Sequence, residues 1–487
     1  MENKNNLVVF NTLFLTISKI ITLFISILIT MLLSKQLSLY DYGTYSQGVL
    51  IVSIFSSLTI LGLTDAANLF FNKYSGKERE EYLSTILFIQ SMIGLFTAAA
   101  IMLFAKLFVW YFDNENLLTL VKFIAFMPMF TNLISVLQIV FISIGKAKLI
   151  AIRNLVISII KLIAIYFIIR RNSSVLLIFL VLISLDLSQY ILFRFYLFKF
   201  KFHLLFTNIK INYILKILKF SVPMAIAILV NALNRDLDKF VIGKFTNTEV
   251  LAIYTNASKI LPFDIISFSL ATILIPYITR YISNFDFKKT TNLFRNYITI
   301  SMITTWILAL GVILLSKESI IFLYGDKYIE GNIIFIIYIL VDMARFANIS
   351  IILSSSGNSK KLMKYSIFII IINLFLNVGF FFLMGIYGPA IATLISNIIY
   401  YALIIKNASK ILKTTKSSFF DFKVIKKLIL SFLIVILVFI SYDQFIGIYP
   451  ESNFVHLILF YGIYLITIGS IFYNDIRKSI FTFSDLT

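Results

Sequence analysis

The chain has no cysteine. No disulfide framework and no thiol chemistry can be built from it. Histidine is nearly absent as well. His203 and His456 lie far apart and in no ligand-like spacing, so no metal site is expected. Charged residues make up only 14% of the 487 positions, against about a quarter in soluble domains. No GxxxxGK followed by Ser or Thr occurs: Gly76-Lys77, Gly145-Lys146 and Gly243-Lys244 are each followed by the wrong residue. ATP hydrolysis by this chain is therefore not expected, and neither is any other cofactor. The longest connections between apolar runs are two basic linkers of roughly 15–20 residues, too short for a folded catalytic domain.

What is abundant is apolar side chain, 60% of the sequence, with 50 phenylalanines. Apolar runs of about 20 residues recur along the whole length, which is what a helix needs to cross a hydrocarbon core. They fall near 8–33, 44–72, 82–106, 117–144, 149–169, 175–198, 214–242, 250–282, 297–316, 332–355, 364–384, 387–406, 425–446 and 455–473. This pattern predicts an all-α, polytopic membrane protein of about fourteen transmembrane helices. The runs are continuous, not ten-residue alternations, so a strand barrel is excluded. The first run reaches Leu33 without a small-residue cleavage site and reads as a retained helix, not a signal peptide.

The net charge is +20. In a soluble protein this would raise nucleic acid as a partner. Here the basic residues fall between apolar runs, so membrane lipids are the expected partner and nucleic acid is not. With the N-terminus inside, the inner segments carry about 29 Lys/Arg and the outer about 9, which places both termini in the cytoplasm. Two segments dominate the inner count, Arg194–Lys219 and Lys406–Lys427.

Shifted by about 209 residues, the chain begins to match itself. LSKQLSLYDYGTYSQ from Leu33 aligns without gaps on IGKFTNTEVLAIYTN from Ile242, so that Lys35 meets Lys244 and Tyr45 meets Tyr254. At a shift of 212, Ser143-Ile144-Gly145 and Lys148 fall on Ser355-Ser356-Gly357 and Lys360. Six spans per repeat preserve orientation, so the halves are parallel repeats. The expected organisation is two pseudo-symmetric six-helix lobes, 1–205 and 206–412, and a linker with an additional helix pair, 413–487.

Charge at membrane depth is costly and marks function by default. Lys19 stands near the middle of span 1, beyond the reach of snorkelling, and is expected to face a watery cavity or a paired acid. Asp65, Lys161, Asp186, Lys259 and Asp264 lie in later spans, and Asn373, Asn377 and Asn397 in spans 11 and 12. Asp342 and Arg345, three apart, can pair on one helix face or serve binding. Lys161 and Asp186 can pair between neighbouring helices, and Asp236 and Asp238 read as packing residues near the outer interface. A cavity with Lys19, Lys161, Lys259 and Arg345, joined by Asn373 and Asn377, would suit an anionic diphosphate headgroup. Asp65, Asp264 and Asp342 are candidates for proton or ion coupling. Pro223, Pro262, Pro276 and Pro389 lie in or beside spans. Span 8, with both Pro262 and Pro276, is the expected bending element.

LLSKQLSLYDYGTYSQGVLIVSIFSSLTILGLTDAANLFFNKYSGK, with its DYGTYS segment after span 1 and Gly62-Leu63 with Asp65 near the end of span 2, resembles the Wzx-type polysaccharide and oligosaccharide flippases. These belong to the multidrug/oligosaccharidyl-lipid/polysaccharide exporter superfamily. RDLDKFVIGKFTNTEVLAIYTNASKI and the arrangement of six, six and two spans are similar to the same family. The resemblance implies a non-enzymatic flippase of the bacterial cytoplasmic membrane. Its substrate would be an undecaprenyl-diphosphate-linked oligosaccharide for O-antigen, capsule or exopolysaccharide, moved by alternating access through a basic central cavity. A polysaccharide polymerase and a chain-length regulator are the implied protein partners. A multidrug/cation antiporter and a lipid II flippase of the same superfamily remain open. The antiporter would be expected to carry coupling acids in span 1, where this chain has Lys19. A membrane polymerase or glycosyltransferase would be expected to display a large outer loop, and the outer loops here are short.

Overall fold

The computed structural model describes the backbone of all residues except 1, 201, 203–207, 260, 447–452 and 485–487. Side-chain surroundings are described for the same residues apart from 2–16, 227, 231, 438–459 and 480–484. His203 and the side chain of His456 lie outside the described residues.

Among the described residues every regular element is a helix. The first ten are α1 (Glu2–Gln36), α2 (Leu39–Thr59), α3 (Leu63–Lys73), α4 (Gly76–Leu103), α5 (Ala105–Phe112), α6 (Asn116–Ile124), α7 (Met127–Ser143), α8 (Ala147–Arg171), α9 (Val175–Lys199) and α10 (Ile211–Phe245). They are followed by α11 (Thr248–Ala257), α12 (Ile265–Ser283), α13 (Phe287–Leu314), α14 (Ser316–Tyr324), α15 (Asn332–Ala344), α16 (Ile351–Ser355), α17 (Ser359–Met384), α18 (Tyr387–Ile411), α19 (Phe422–Ile446) and α20 (Asn453–Ser484).

The repeat is visible in the helix boundaries. α1 and α10 both have 35 residues at an offset of 209. α4 and α13 both have 28 at an offset of 211, and α9 and α18 both have 25 at an offset of 212. The short helix that follows the third long one, α5, recurs as α14.

Among the described residues ten helices are long and apolar enough to cross a membrane, or eleven with the bent pair α2 and α3 counted as one, so the protein is a multi-pass membrane protein. Three of the fourteen expected spans are not among them. The span expected at 332–355 is split into α15, 13 residues, and α16, 5 residues, neither long enough alone. The final pair, α19 and α20, runs through residues 438–459, whose side chains are not described. Span 8 is broken between Ala257 and Ile265, with Pro262 inside the break, while Pro276 and Pro223 sit within intact helices.

The chain divides into two compact units, 1–252 and 253–487. In the first, α3, α4, α7, α9 and α10 close a core around Phe70, Phe71, Tyr82, Phe141 and Phe193. α10, assigned to the second lobe by the sequence repeat, packs here against α2, α3 and α4. The bend between α2 and α3 turns on Gly62, at φ +65°. A Cβ there would stand 2.4 Å from the Ser221 carbonyl oxygen and 2.9 Å from Met224 Cβ, so both conformation and space call for glycine.

In the second unit, α12, α13, α18 and α20 surround a core that includes Phe294, Tyr297, Ile303, Ile352 and Phe419. α20 grips α13 through two phenols: Tyr461 donates to the Leu308 carbonyl at 3.0 Å and Tyr464 to that of Ile307 at 2.9 Å. Gly311 leaves room for both rings. With few water molecules to compete inside a bilayer, such bonds hold helices together.

Candidate functional site

The first unit brings three helices, α7, α8 and α9, together around Asp186 of α9. The carboxylate accepts from Thr131 Oγ1 of α7 at 3.4 Å and from Gln189 Nε2, one turn on, at 3.2 Å. Lys161 of α8 and Arg153, two turns before it, act on Asp186 electrostatically. The expected Lys161–Asp186 pair does not close to ion-pair distance. Asp186 is satisfied by neutral donors instead, and the lysine acts at longer range. Arg153 donates to Asn154 Oδ1 and lies 4.7 Å over the Phe193 ring. Its Nε and Nη1 are buried with no hydrogen-bond partner among the described residues. Two cations facing one acid leave this cluster net positive, which suits an anion better than a metal.

Lys19 is exposed on α1, a helix that packs against α8. Asp65 is exposed in the first turn of α3, where the positive end of the helix dipole favours a carboxylate. Neither forms an ion pair among the described residues. Asp236 takes Lys239 Nζ at 3.0 Å, Arg235 Nη2 at 2.9 Å and Ser53 Oγ at 3.1 Å, and so ties α10 to α2.

The second unit holds two helix breaks, 258–264 between α11 and α12, and 345–350 between α15 and α16. Four of the singled-out residues, Lys259, Asp264, Asp342 and Arg345, lie in or beside them. Unwound backbone at membrane depth is tolerated only where protein groups satisfy it. Here Asp342 Oδ2 accepts from Leu261 N at 3.1 Å, across the two breaks. α13 supplies Trp306 Nε1 to the Met343 carbonyl at 3.0 Å and Tyr297 Oη to Asn348 N at 2.8 Å. α18 supplies Tyr401 Oη to the Ala347 carbonyl at 3.1 Å.

The expected Asp342–Arg345 pair on one helix face is not formed as an ion pair. α15 ends at Ala344, Arg345 leaves the helical period, and Asp342 is committed to the other break. Arg345 still acts on Asp264 and Asp342 electrostatically. Asp264 stands at the N-cap position of α12 without a side-chain cap bond. Lys259 Nζ lies 5.8 Å from the Tyr324 ring.

Asn373 and Asn377 form a different site, an amide ladder between α17 and α18. Asn377 Nδ2 donates to Asn373 Oδ1 at 2.8 Å, and Ser396 Oγ donates to the same oxygen at 3.1 Å. Asn377 Oδ1 and Thr393 Oγ1 are buried without a partner among the described residues. No group of three or more His, Cys, Asp and Glu side chains that could hold a metal occurs among the described residues.

Sequence reasoning missed Arg153, Thr131 and Gln189, and the phenols and indole that hold the breaks. Arg153 carried a signal, as an arginine within an apolar run. Tyr297, Trp306 and Tyr401 carried none, because aromatic residues are everywhere in this chain.

Three comparisons with known proteins add to this geometry. Residues 13–332 match a family described as "Polysaccharide biosynthesis protein". The chain is similar to the "Capsular polysaccharide biosynthesis protein CapF" of Staphylococcus aureus, 25% identical over 343 residues that cover 67% of this chain and 80% of the relative. Among solved structures it is similar to "Lipid II flippase MurJ, inward closed conformation", with a TM-score of 0.76, 20% identity, and coverage of 95% of this chain and 99% of that one. An inward-facing multidrug resistance MATE family transporter of the MOP superfamily follows at a TM-score of 0.67 and 11% identity, over 81% of this chain and 96% of that one. At these identities the structural likenesses show the fold alone, which this chain shares with both proteins.

Proposed function

Since the chain belongs to the polysaccharide biosynthesis protein family, in a fold of transporters and not of enzymes, we propose that it is a flippase for a lipid-linked oligosaccharide. The substrate is an undecaprenyl-diphosphate-linked repeat unit, moved to the outer leaflet of a bacterial cytoplasmic membrane for assembly of a surface polysaccharide. The family match over residues 13–332 carries this reading, and the capsular relative supports it. In this reading the chain crosses the membrane fourteen times with both ends in the cytoplasm. The span at 332–355 is the discontinuous α15–α16, and α19 and α20 are the last two. The protein hands its product to a polymerase and a chain-length regulator.

The reading assigns roles to the polar residues of the spans. Lys19 and Lys161 in the first unit, and Lys259 and Arg345 in the second, are the cations proposed for the anionic headgroup; Asn373 and Asn377, proposed for sugar hydroxyls, lie buried in the amide ladder between α17 and α18. Asp65, Asp264 and Asp342 are the acids for ion or proton coupling. Of these Asp342 is the best placed, because its carboxylate spans the two helix breaks at which a helix can change shape.

Deletion of the gene tests the reading. Surface polysaccharide should be lost while lipid-linked repeat units accumulate in the inner leaflet. The likeness to the lipid II flippase supports a second reading, in which deletion would accumulate lipid II and arrest wall synthesis with the repeat units unaffected. Normal polysaccharide with reduced drug efflux would refute both.

A further inference from the structure

The linker before α19 folds back over the start of α13. Phe419 is fully buried and meets Phe294 edge to face, ring centroids 5.3 Å apart. This pins residues 412–421 in place and leaves a cavity of about 500 Å³ between the linker and the first turns of α13. Its walls carry three cations, Lys288, Arg295 and Lys413, with hydroxyl and amide groups from Thr291, Asn292 and Thr414 between them. Lys413 is held at φ +50°, a conformation a lysine rarely adopts, beside the Phe287 ring at 5.8 Å. Two acids stand nearby, and Asp421 lies 3.4 Å from Arg295. Asp286 is engaged with Lys289.

The cavity lies at the end of a membrane span, and apolar residues open beside it. Phe285, whose ring centroid is 6.2 Å from that of Phe287, is 79% exposed, and Phe422, next to Asp421, is 61% exposed. Aromatic side chains left bare at the end of a span mark the level where headgroups meet acyl chains. A polar, cationic cavity with an apolar margin at that level matches one kind of molecule: a phosphate-bearing headgroup whose chains leave into the bilayer.

We propose that this cavity binds the phosphate of an anionic phospholipid, such as a phosphatidylglycerol, in the leaflet that the lysine distribution assigns to the cytoplasm. Lys288, Arg295 and Lys413 neutralise the phosphate. The hydroxyls and amide of Thr291, Asn292 and Thr414 bond its oxygens. Because the same linker leads into α19, an occupied site would brace the C-terminal helix pair against α13. The binding is independent of which substrate the protein carries.

The test is native mass spectrometry of the purified full-length protein titrated with phosphatidylglycerol and, separately, with phosphatidylcholine. Wild-type protein should retain phosphatidylglycerol selectively. The double variant Lys288→Gln/Lys413→Gln should bind it about 25-fold more weakly, at about fivefold for each basic residue removed. Lys360→Gln/Lys361→Gln, with the same net charge and the changes at the exposed start of α17, should bind within twofold of wild type. Equal losses in the two double variants would mean diffuse attraction to the surface and overturn the site. Inorganic phosphate at millimolar concentration supplies the other arm: it should not displace the lipid. Binding of inorganic phosphate without retention of phosphatidylglycerol would overturn the lipid as its ligand.

Discussion

Replacing Asp342 separates what its carboxylate does for the fold from what its charge does for transport. The carboxylate accepts from Leu261 N at 3.1 Å, and this bond joins the break before α12 to the end of α15. A hydrogen bond to a charged acceptor contributes about 1.5–3 kcal/mol. Asp342→Leu removes the acceptor and leaves a half-buried N–H unsatisfied, so the loss should fall in that range. For a unit of this size each kcal/mol moves the melting temperature by about 2–4 °C. Asp342→Leu should therefore melt roughly 3–12 °C below wild type, measured in detergent by loss of the monodisperse peak after heating. Asp342→Asn keeps an oxygen that can accept from Leu261 and should lose less than half as much. If the charge serves coupling, the asparagine variant should still lose surface polysaccharide, read by immunoblot at matched protein levels. An Asp342→Leu protein that melts within ~1 °C of wild type would show that the bond across the breaks does not hold them. Full export by a well-folded Asp342→Asn would remove the charge from the transport cycle.

Other substitutions probe separate parts of the molecule. Lys19→Ala should reduce export of lipid-linked oligosaccharide with protein levels unchanged, and full export would take Lys19 out of the substrate path. Gly62→Ala combines a left-handed backbone with a 2.4 Å approach to the Ser221 carbonyl oxygen. It should cost about 2–5 kcal/mol, seen as lower yield of folded protein and earlier thermal aggregation. Tyr461→Phe/Tyr464→Phe removes both phenol bonds from α20 to α13 and should destabilise the second unit by about 1–2 kcal/mol. Protease nicking of the 412–421 linker would report that loosening.

Much of the architecture was legible from the sequence because a bilayer permits few solutions. Runs of apolar residues give helices, and most expected spans fall on helices within a few residues. The shift that aligned Leu33 with Ile242 is the shift that relates α1 to α10. The helix breaks were less legible. Pro262 signals one of them, but the break at 345–350 has no proline and no glycine. It rests on bonds from Tyr297 and Tyr401 that only the packed structure brings into range. For the same reason single-helix spacing misjudged Asp342 and Arg345. A spacing of three puts two charges on one face only while the helix continues, and α15 stops between them. Lys161 and Asp186 were rightly read as neighbours, but Thr131 and Gln189, neutral and unremarkable in sequence, take the bonds.

The matching helix offsets also set the two halves against each other position by position. At an offset of 209, the break 258–264 corresponds to residues 49–55, which are uninterrupted helix in α2. At an offset of 212, the break 345–350 corresponds to 133–138, uninterrupted in α7. The residues that give the second unit its charges at these breaks have apolar counterparts: Asp264 stands where the first half has Phe55, Asp342 where it has Phe130, and Arg345 where it has Leu133. Lys161, the cation of the first half's cluster, has its counterpart in Asn373. The two halves thus differ in chemistry at matching positions. One half keeps α2 and α7 unbroken at the matching positions and places its cations around Asp186. The other breaks two helices and carries charge in or beside the gaps, so the halves share a helix plan but not a chemistry.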